Sequence, residues 1–146
     1  MKFSLQSAIG TKTEKLVLAE ALLSKIDGEF KVLRKIRGKE LEFTKYKAPF
    51  DYVSVENAHY VGLADYVTIE DGTGFVHNAP AFGAEDLEVC RQYKAPMVNP
   101  ISPDGHFEEG LTVVGGMFFK DADKPLVKEL KTAGLLYKQQ PYEHQY

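Results

Sequence analysis

Twelve glycines and seven prolines are scattered along the 146 residues, which implies many short elements joined by turns. Both residue types break regular structure locally, glycine by its freedom and proline by its fixed φ and missing N–H. No apolar run approaches the ~20 residues that cross a bilayer. The start, Met1-Lys2-Phe3-Ser4-Leu5-Gln6, lacks the long apolar stretch of a signal peptide. The expected location is therefore cytoplasmic, with no membrane partner. The length suits one domain, and such a chain can bury roughly 68–70% of its unfolded surface without a metal or disulfide staple. One cysteine, Cys90, leaves no internal disulfide and no multi-cysteine zinc site.

Composition adds two limits. The apolar share of 44% and charged share of 27% are ordinary for a soluble globular protein. The 18 basic and 21 acidic residues leave a net charge of −3, against the positive excess that a stand-alone nucleic-acid binder carries. A module that touches only the tip of a nucleic acid held elsewhere remains compatible with that charge.

Along the chain, Phe3–Ile9 and Leu16–Leu18 read as strands. Ala19–Ile26 reads as a short helix ended by Asp27-Gly28, and Phe30–Ile36 as a twisted strand. Gly38–Phe50 reads as a short strand and an irregular loop. In the middle, Tyr52–Val55, Tyr60–Leu63 and Tyr66–Ile69 are candidate strands. Asp71-Gly72 signals a hairpin, with Gly74–His77 as the returning strand. Ala84–Lys94 reads as a helix, acidic in its first turn and basic in its last. Leu111–Phe119 holds strand-like pieces broken by Gly115-Gly116. Asp123–Ala133 is a helix with Asp123 as N-cap, Pro125 in the first turn and Gly134 as the stop. Leu135–Tyr137 would begin a last strand. Many short strands with about three helices predict a mainly β, barrel-like core decorated by helices.

Chemistry is densest in Asp71–Asp86. Paired glycines let backbone approach a ligand closely, Thr73 sets a hydroxyl between Gly72 and Gly74, His77 closes a strand, and Asp86 opens a helix beyond a Pro/Gly loop. Strand end, loop and helix start could form one concave wall holding an imidazole and a carboxylate. The plainer readings are a simple turn for Gly-Thr-Gly, a structural His77, and capping groups in Glu85 and Asp86. His59, His77, His106 and His144 lack the spacing of a helical zinc pair, and no metal is expected. Cys90 falls mid-helix on the buried side with Leu87, where a thiol is inert. No Gly-x-Ser-x-Gly elbow and no phosphate-cradling Gly-x-x-x-x-Gly-Lys run occurs. Tyr52, Tyr60 and Tyr66 sit at strand positions suited to core packing.

The stretch Gly72-Thr73-Gly74-Phe75-Val76-His77-Asn78-Ala79-Pro80-Ala81-Phe82-Gly83-Ala84-Glu85-Asp86 closely resembles the signature of the editing domain of isoleucyl-tRNA synthetase. Leu63–Thr68 precedes it as in that family. Asp104-Gly105 and Gly116–Phe119 resemble later turns and a strand, and Pro141–Tyr146 resembles the strand that leads back to the synthetase body. Val76-His77 and Ala81-Phe82-Gly83 favour the isoleucyl family over its valyl and leucyl relatives. The family's threonine-rich segment beside a tryptophan has no counterpart, since the chain has no tryptophan. A fragment of a longer synthetase is the expectation.

The resemblance implies a barrel-like editing domain that hydrolyses valyl-tRNA(Ile), and valyl-adenylate as a further substrate. It implies Asp86 and His77 as catalytic residues, Asp86 holding the substrate ammonium and His77 rejecting isoleucine. Gly72, Thr73, Gly74, Phe75, Val76, Asn78, Ala79 and Pro80 would bind substrate. It also implies the acceptor end of tRNA(Ile) and the rest of the synthetase as partners, and no cofactor for this domain, ATP being used elsewhere in the full-length enzyme. A valyl- or leucyl-type editing domain and a catalytically silent module are the competing expectations.

Overall fold

A computed structural model of the chain describes residues 2–4, 7–9 and 12–140, and side chains from residue 14 onward. The fold mixes short strands with helices in two compact units. One runs up to Tyr46 and resumes over Asn57–Met97. The other comprises Lys47–Glu56 and the chain from Val98.

The first unit is built on a three-stranded antiparallel sheet. Strand β1 (Lys2–Ser4) lies between β4 (Leu18–Ala19) and β5 (Ile36–Arg37), with Phe3 opposite both Ala19 and Ile36. Strands β2 (Ser7–Ile9) and β3 (Lys12–Glu14) form a separate antiparallel pair. Among the described residues these strands make two small sheets and no closed barrel.

Ala19–Ile26, expected as a short helix, is a 3-10 helix over Glu20–Lys25. So short a segment gains little from i→i+4 bonding. The three-residue period instead stacks Leu22 on Ala19. These two, 2% and 1% exposed, form the core with Leu18, and Leu16, Leu23, Ile26, Ile36 and Leu41 pack around it.

Helix α1 (Ala84–Gln92) matches the expected helix apart from its last turn. Ala95 N–H bonds to Cys90 O at 2.8 Å and Lys94 N–H to Arg91 O at 3.1 Å. That paired closure requires a left-handed residue after the C-cap. Here it is Lys94, at φ 55°. A β-carbon pays for that conformation and glycine does not. Lys94→Gly is therefore expected to stabilise the chain by about 0.5–1 kcal/mol in urea denaturation. An unchanged or lower midpoint would contradict the expectation.

The expected middle strands do not form ladders. Tyr52–Val55, Tyr60–Leu63, Tyr66–Ile69 and Gly74–His77 are irregular, apart from a single bridge between Lys45 and Tyr60. Phe43 N–H reaches Val61 O at 2.8 Å and Val61 N–H reaches Thr44 O at 3.0 Å, but Phe43 lies at φ 60°, outside the β region, so pairing stops there. Phe30–Ile36 is likewise not a continuous strand: β5 takes only its end, and Phe30, Val32 and Leu33 are exposed.

In the second unit, bridges join Ile101 to Phe107 and His106 to Phe118, and Val114 and Ala122 are buried. Leu111–Gly116 is turn rather than strand. A 3-10 turn over Phe119–Asp121 runs into helix α2 (Asp123–Thr132). The N-cap is Ala122, already helical at φ −72° and ψ −21°, so Asp123 is the first helical residue and not the cap. The incoming turn supplies the geometry that a capping side chain would otherwise provide. Gly134, at φ 69°, ends α2 with the same paired bonds as α1, Leu135 N–H to Leu130 O and Gly134 N–H to Lys131 O. Leu135–Tyr137 is not a strand, and Pro141–Tyr146 lies outside the described residues. Among the described residues, two α-helices and three 3-10 segments thus stand where about three helices were expected.

Candidate functional site

The glycine-rich turn is docked onto the core of its own unit. Lys25 Nζ donates to Glu70 O at 2.7 Å and pairs with Asp71 Oδ1 at 2.8 Å. The Lys25 ammonium, by hydrogen bond and charge, holds the Asp71 carboxyl below its ordinary range. Gly72 and Gly74 both have positive φ, at 65° and 79°. Between them the Thr73 carbonyl accepts the Ala19 N–H at 2.8 Å, and Thr73 Oγ1 accepts the Phe75 N–H at 3.3 Å. A Cβ on Gly74 would lie 2.7 Å from Ala19 Cβ, while one on Gly72 would meet nothing within 4 Å. The bare α-carbon of Gly74 therefore admits β4, and the open side of the turn is at Gly72.

Phe75, Val76 and His77 lead away exposed, and Asn78, Ala79 and Pro80 are half-buried. Phe82 N–H closes on Ala79 O at 2.9 Å, with Pro80 at the second position of the turn, where its fixed φ fits. Helix α1 follows from Gly83, and Asp86 is its third residue. The Asp86 carboxylate curls back over the helix start. Its Oδ2 accepts the Ala79 N–H at 3.0 Å, and its Oδ1 lies 3.1 Å from the Tyr66 hydroxyl. That hydroxyl is also 2.8 Å from Asn78 Oδ1. Gly83 makes room for the curl, since a Cβ there would sit 3.2 Å from Asp86 Cγ and Oδ2. Burial, reinforced by the hydrogen bond to Asp86, pushes the Tyr66 phenol above its ordinary range. It therefore remains a donor well above neutral pH.

Three of the residues singled out from sequence, Asp86, Asn78 and Ala79, thus share one hydrogen-bonded cluster. Gly72, Thr73 and Gly74 gather separately on Ala19. His77 stands exposed one residue before Asn78. Tyr66 is the member of the cluster that sequence reasoning assigned to core packing. Its place in Leu63–Thr68, the block that precedes the glycine motif, was the available signal.

A cavity of about 480 Å³ is walled by the Tyr66 and Tyr93 rings, with Asp65, Glu85 and Glu88 at its sides. Asp86, His77 and Gly72–Gly74 do not line it. Tyr93 is fixed by donating to Glu42 Oε1 at 2.7 Å and accepting the Leu63 N–H at 2.8 Å. Cys90 is buried on α1, and burial, with Asp86 adding, pushes its thiol up. That environment disfavours the reactive thiolate. Among the described residues, no helix is long and apolar enough to cross a membrane.

No family model matches the chain. Individual proteins do. The isoleucine–tRNA ligase of Streptomyces coelicolor is 55% identical over 136 residues, covering 91% of this chain and 13% of the ligase. That of Thermobifida fusca is 52% identical over 137 residues, covering 92% and 13%. That of Thermus thermophilus is 42% identical over 137 residues, covering 91% and 13%. By sequence the chain is similar to a segment of the isoleucine–tRNA ligases, and it spans 13% of the length of these relatives.

Proposed function

We infer that this chain forms a hydrolytic proofreading site for valine esterified to the terminal adenosine of tRNA(Ile), with valyl-adenylate as a further substrate. The observation that carries the reading is the Asp86 carboxylate, fixed by donors from two other segments beside the exposed loop of His77. Its relationship to isoleucine–tRNA ligases supplies the reason for such a site. One methylene in an apolar pocket is worth only roughly 1–3 kcal/mol, a limit for which isoleucyl-tRNA synthetase is itself the standard example. A second site can sort the other way, by excluding the larger side chain.

In this reading Asp86 holds the substrate α-ammonium by a charge-assisted hydrogen bond. Each carboxylate oxygen has two lone pairs. The Ala79 N–H and Tyr66 hydroxyl take one on each, and one on each is left for substrate. The His77 imidazole lines the side-chain pocket and blocks an added methyl group. Gly72, Thr73, Gly74, Phe75 and Val76 meet the adenosine and ester, and Asn78, Ala79 and Pro80 shape the floor. A water positioned at the ester carbonyl is the nucleophile, and positioning supplies much of the rate gain. The chemistry calls for no covalent nucleophile, metal or cofactor.

The same bonds favour a second reading, in which Asp86 is only a staple between the loop and α1 and the module is silent. Discharge rates separate the two. Valyl-tRNA(Ile) should lose its amino acid at least about tenfold faster than isoleucyl-tRNA(Ile) in the presence of the chain. Equal rates, or rates equal to those without protein, would support the silent module.

A further inference from the structure

We propose that Tyr66 is a positioning residue that sets the direction of the Asp86 carboxylate toward the substrate ammonium, with Asn78 behind it as the donor that fixes the phenol proton. The proposal rests on the reading that Asp86 binds that ammonium.

The Tyr66 oxygen lies 2.8 Å from the Asn78 amide and 3.1 Å from Asp86 Oδ1. A phenol has one proton and cannot give it fully to two acceptors. An ionised carboxylate is the stronger acceptor, so the proton goes to Asp86. The short Asn78 contact is then satisfied when the amide presents its NH₂ to the phenol oxygen, since its two ends have nearly the same shape. This orders the chain as Asn78 NH₂ donating to Tyr66, and Tyr66 donating to Asp86. Each bond in it runs in one direction, and such a network fixes orientation more firmly than a freely rotating hydroxyl.

Geometry explains why the carboxylate needs this. Asp86 turns back from the first turn of α1 to the Ala79 N–H, and that bond alone leaves rotation about its own axis open. The Tyr66 bond, from a segment twenty residues earlier, closes that freedom. The two lone pairs that remain then point in a set direction. Binding a tetrahedral ammonium requires that direction, whereas binding an uncharged group does not.

The test uses the 146-residue chain and two probes, a non-hydrolysable valyl-adenosine amide and its isovaleryl counterpart, which lacks only the amino group. Wild type should bind the valyl probe more tightly. Tyr66→Phe should weaken the valyl probe roughly tenfold, the scale of one hydrogen bond to a charged group, and leave the isovaleryl probe unchanged. Equal weakening of both probes would make Tyr66 a structural residue and overturn the proposal, as would no weakening of either. A wild-type chain that fails to prefer the valyl probe would overturn the reading of Asp86 itself, and the role of Tyr66 with it. Asn78→Asp gives a second measure. It sets two carboxylates against one phenol and should weaken the valyl probe more than the isovaleryl one. Unaltered affinity would contradict the assigned proton order.

Discussion

Asp86→Asn should cut the discharge of valyl-tRNA(Ile) by roughly 10–100-fold, the scale of a hydrogen bond to a charged group, while leaving stability within about 0.5 kcal/mol of wild type. The asymmetry follows from the hydrogen-bond inventory around the side chain. An asparagine at this position keeps one oxygen for the Ala79 N–H. Its NH₂ can donate to the Tyr66 oxygen, and the phenol proton can then turn to Asn78 Oδ1. Every polar group stays satisfied, and only the negative charge is lost. Asp86→Ala differs. It strips the Ala79 N–H of its acceptor in a half-buried place, leaving the Tyr66 hydroxyl only Asn78 Oδ1, and should cost about 1–3 kcal/mol of stability, besides abolishing discharge. The two variants together separate the charge from the staple. If Asp86→Asn discharges valyl-tRNA(Ile) at the wild-type rate, the carboxylate has no part in substrate binding.

Gly74→Ala should destabilise the chain by about 2–5 kcal/mol, against about 1–2 kcal/mol for Gly72→Ala. Both glycines have positive φ, so each substitution meets the left-handed penalty. Only Gly74 adds a collision. Its new methyl would stand 2.7 Å from the Cβ of Ala19, a residue 1% exposed in the core cluster. Alanine has no rotamer by which to yield. Relief would have to come from the bond between Ala19 N–H and Thr73 O, or from the pairing of Ala19 with Phe3 across β1 and β4. Paired denaturation curves measure the difference. Equal losses at the two positions would mean that the turn is not seated on β4 as described.

The features legible in the sequence were those fixed by residues close together along the chain. Both α-helices could be placed from their own charges, but only α2 carried a stop in the sequence, Gly134; α1 ends before Lys94, which takes the left-handed position that glycine would favour. Cys90 on the buried side of α1 followed from the same periodicity. The Gly72–Gly74 turn was visible for the same reason. What failed was pairing at a distance. Tyr66–Ile69 and Gly74–His77 carry β-formers, yet the turn between them gives its Thr73 carbonyl to Ala19, more than fifty residues earlier. β-propensity reports a fit to a half-buried pleated surface rather than a partner, so it could not reveal that exchange. The site divided in the same way. Asp86 and its loop could be named from the glycine motif, but the tie to Tyr66 depends on two segments meeting in space. Nothing in the spacing of a tyrosine among β-branched neighbours distinguishes a packing ring from a hydroxyl that bonds a carboxylate. The close approach of Asp86 to Gly83 is a similar case, where a residue that looked like a loop breaker is the space into which the acid folds.

The structure of the chain bound to the valyl-adenosine amide tests the account most directly. The account predicts the probe's ammonium within hydrogen-bonding distance of the Asp86 carboxylate, with the valyl side chain against the His77 ring. A probe seated instead between the Tyr66 and Tyr93 rings, its ammonium facing Glu85 or Glu88, would contradict it.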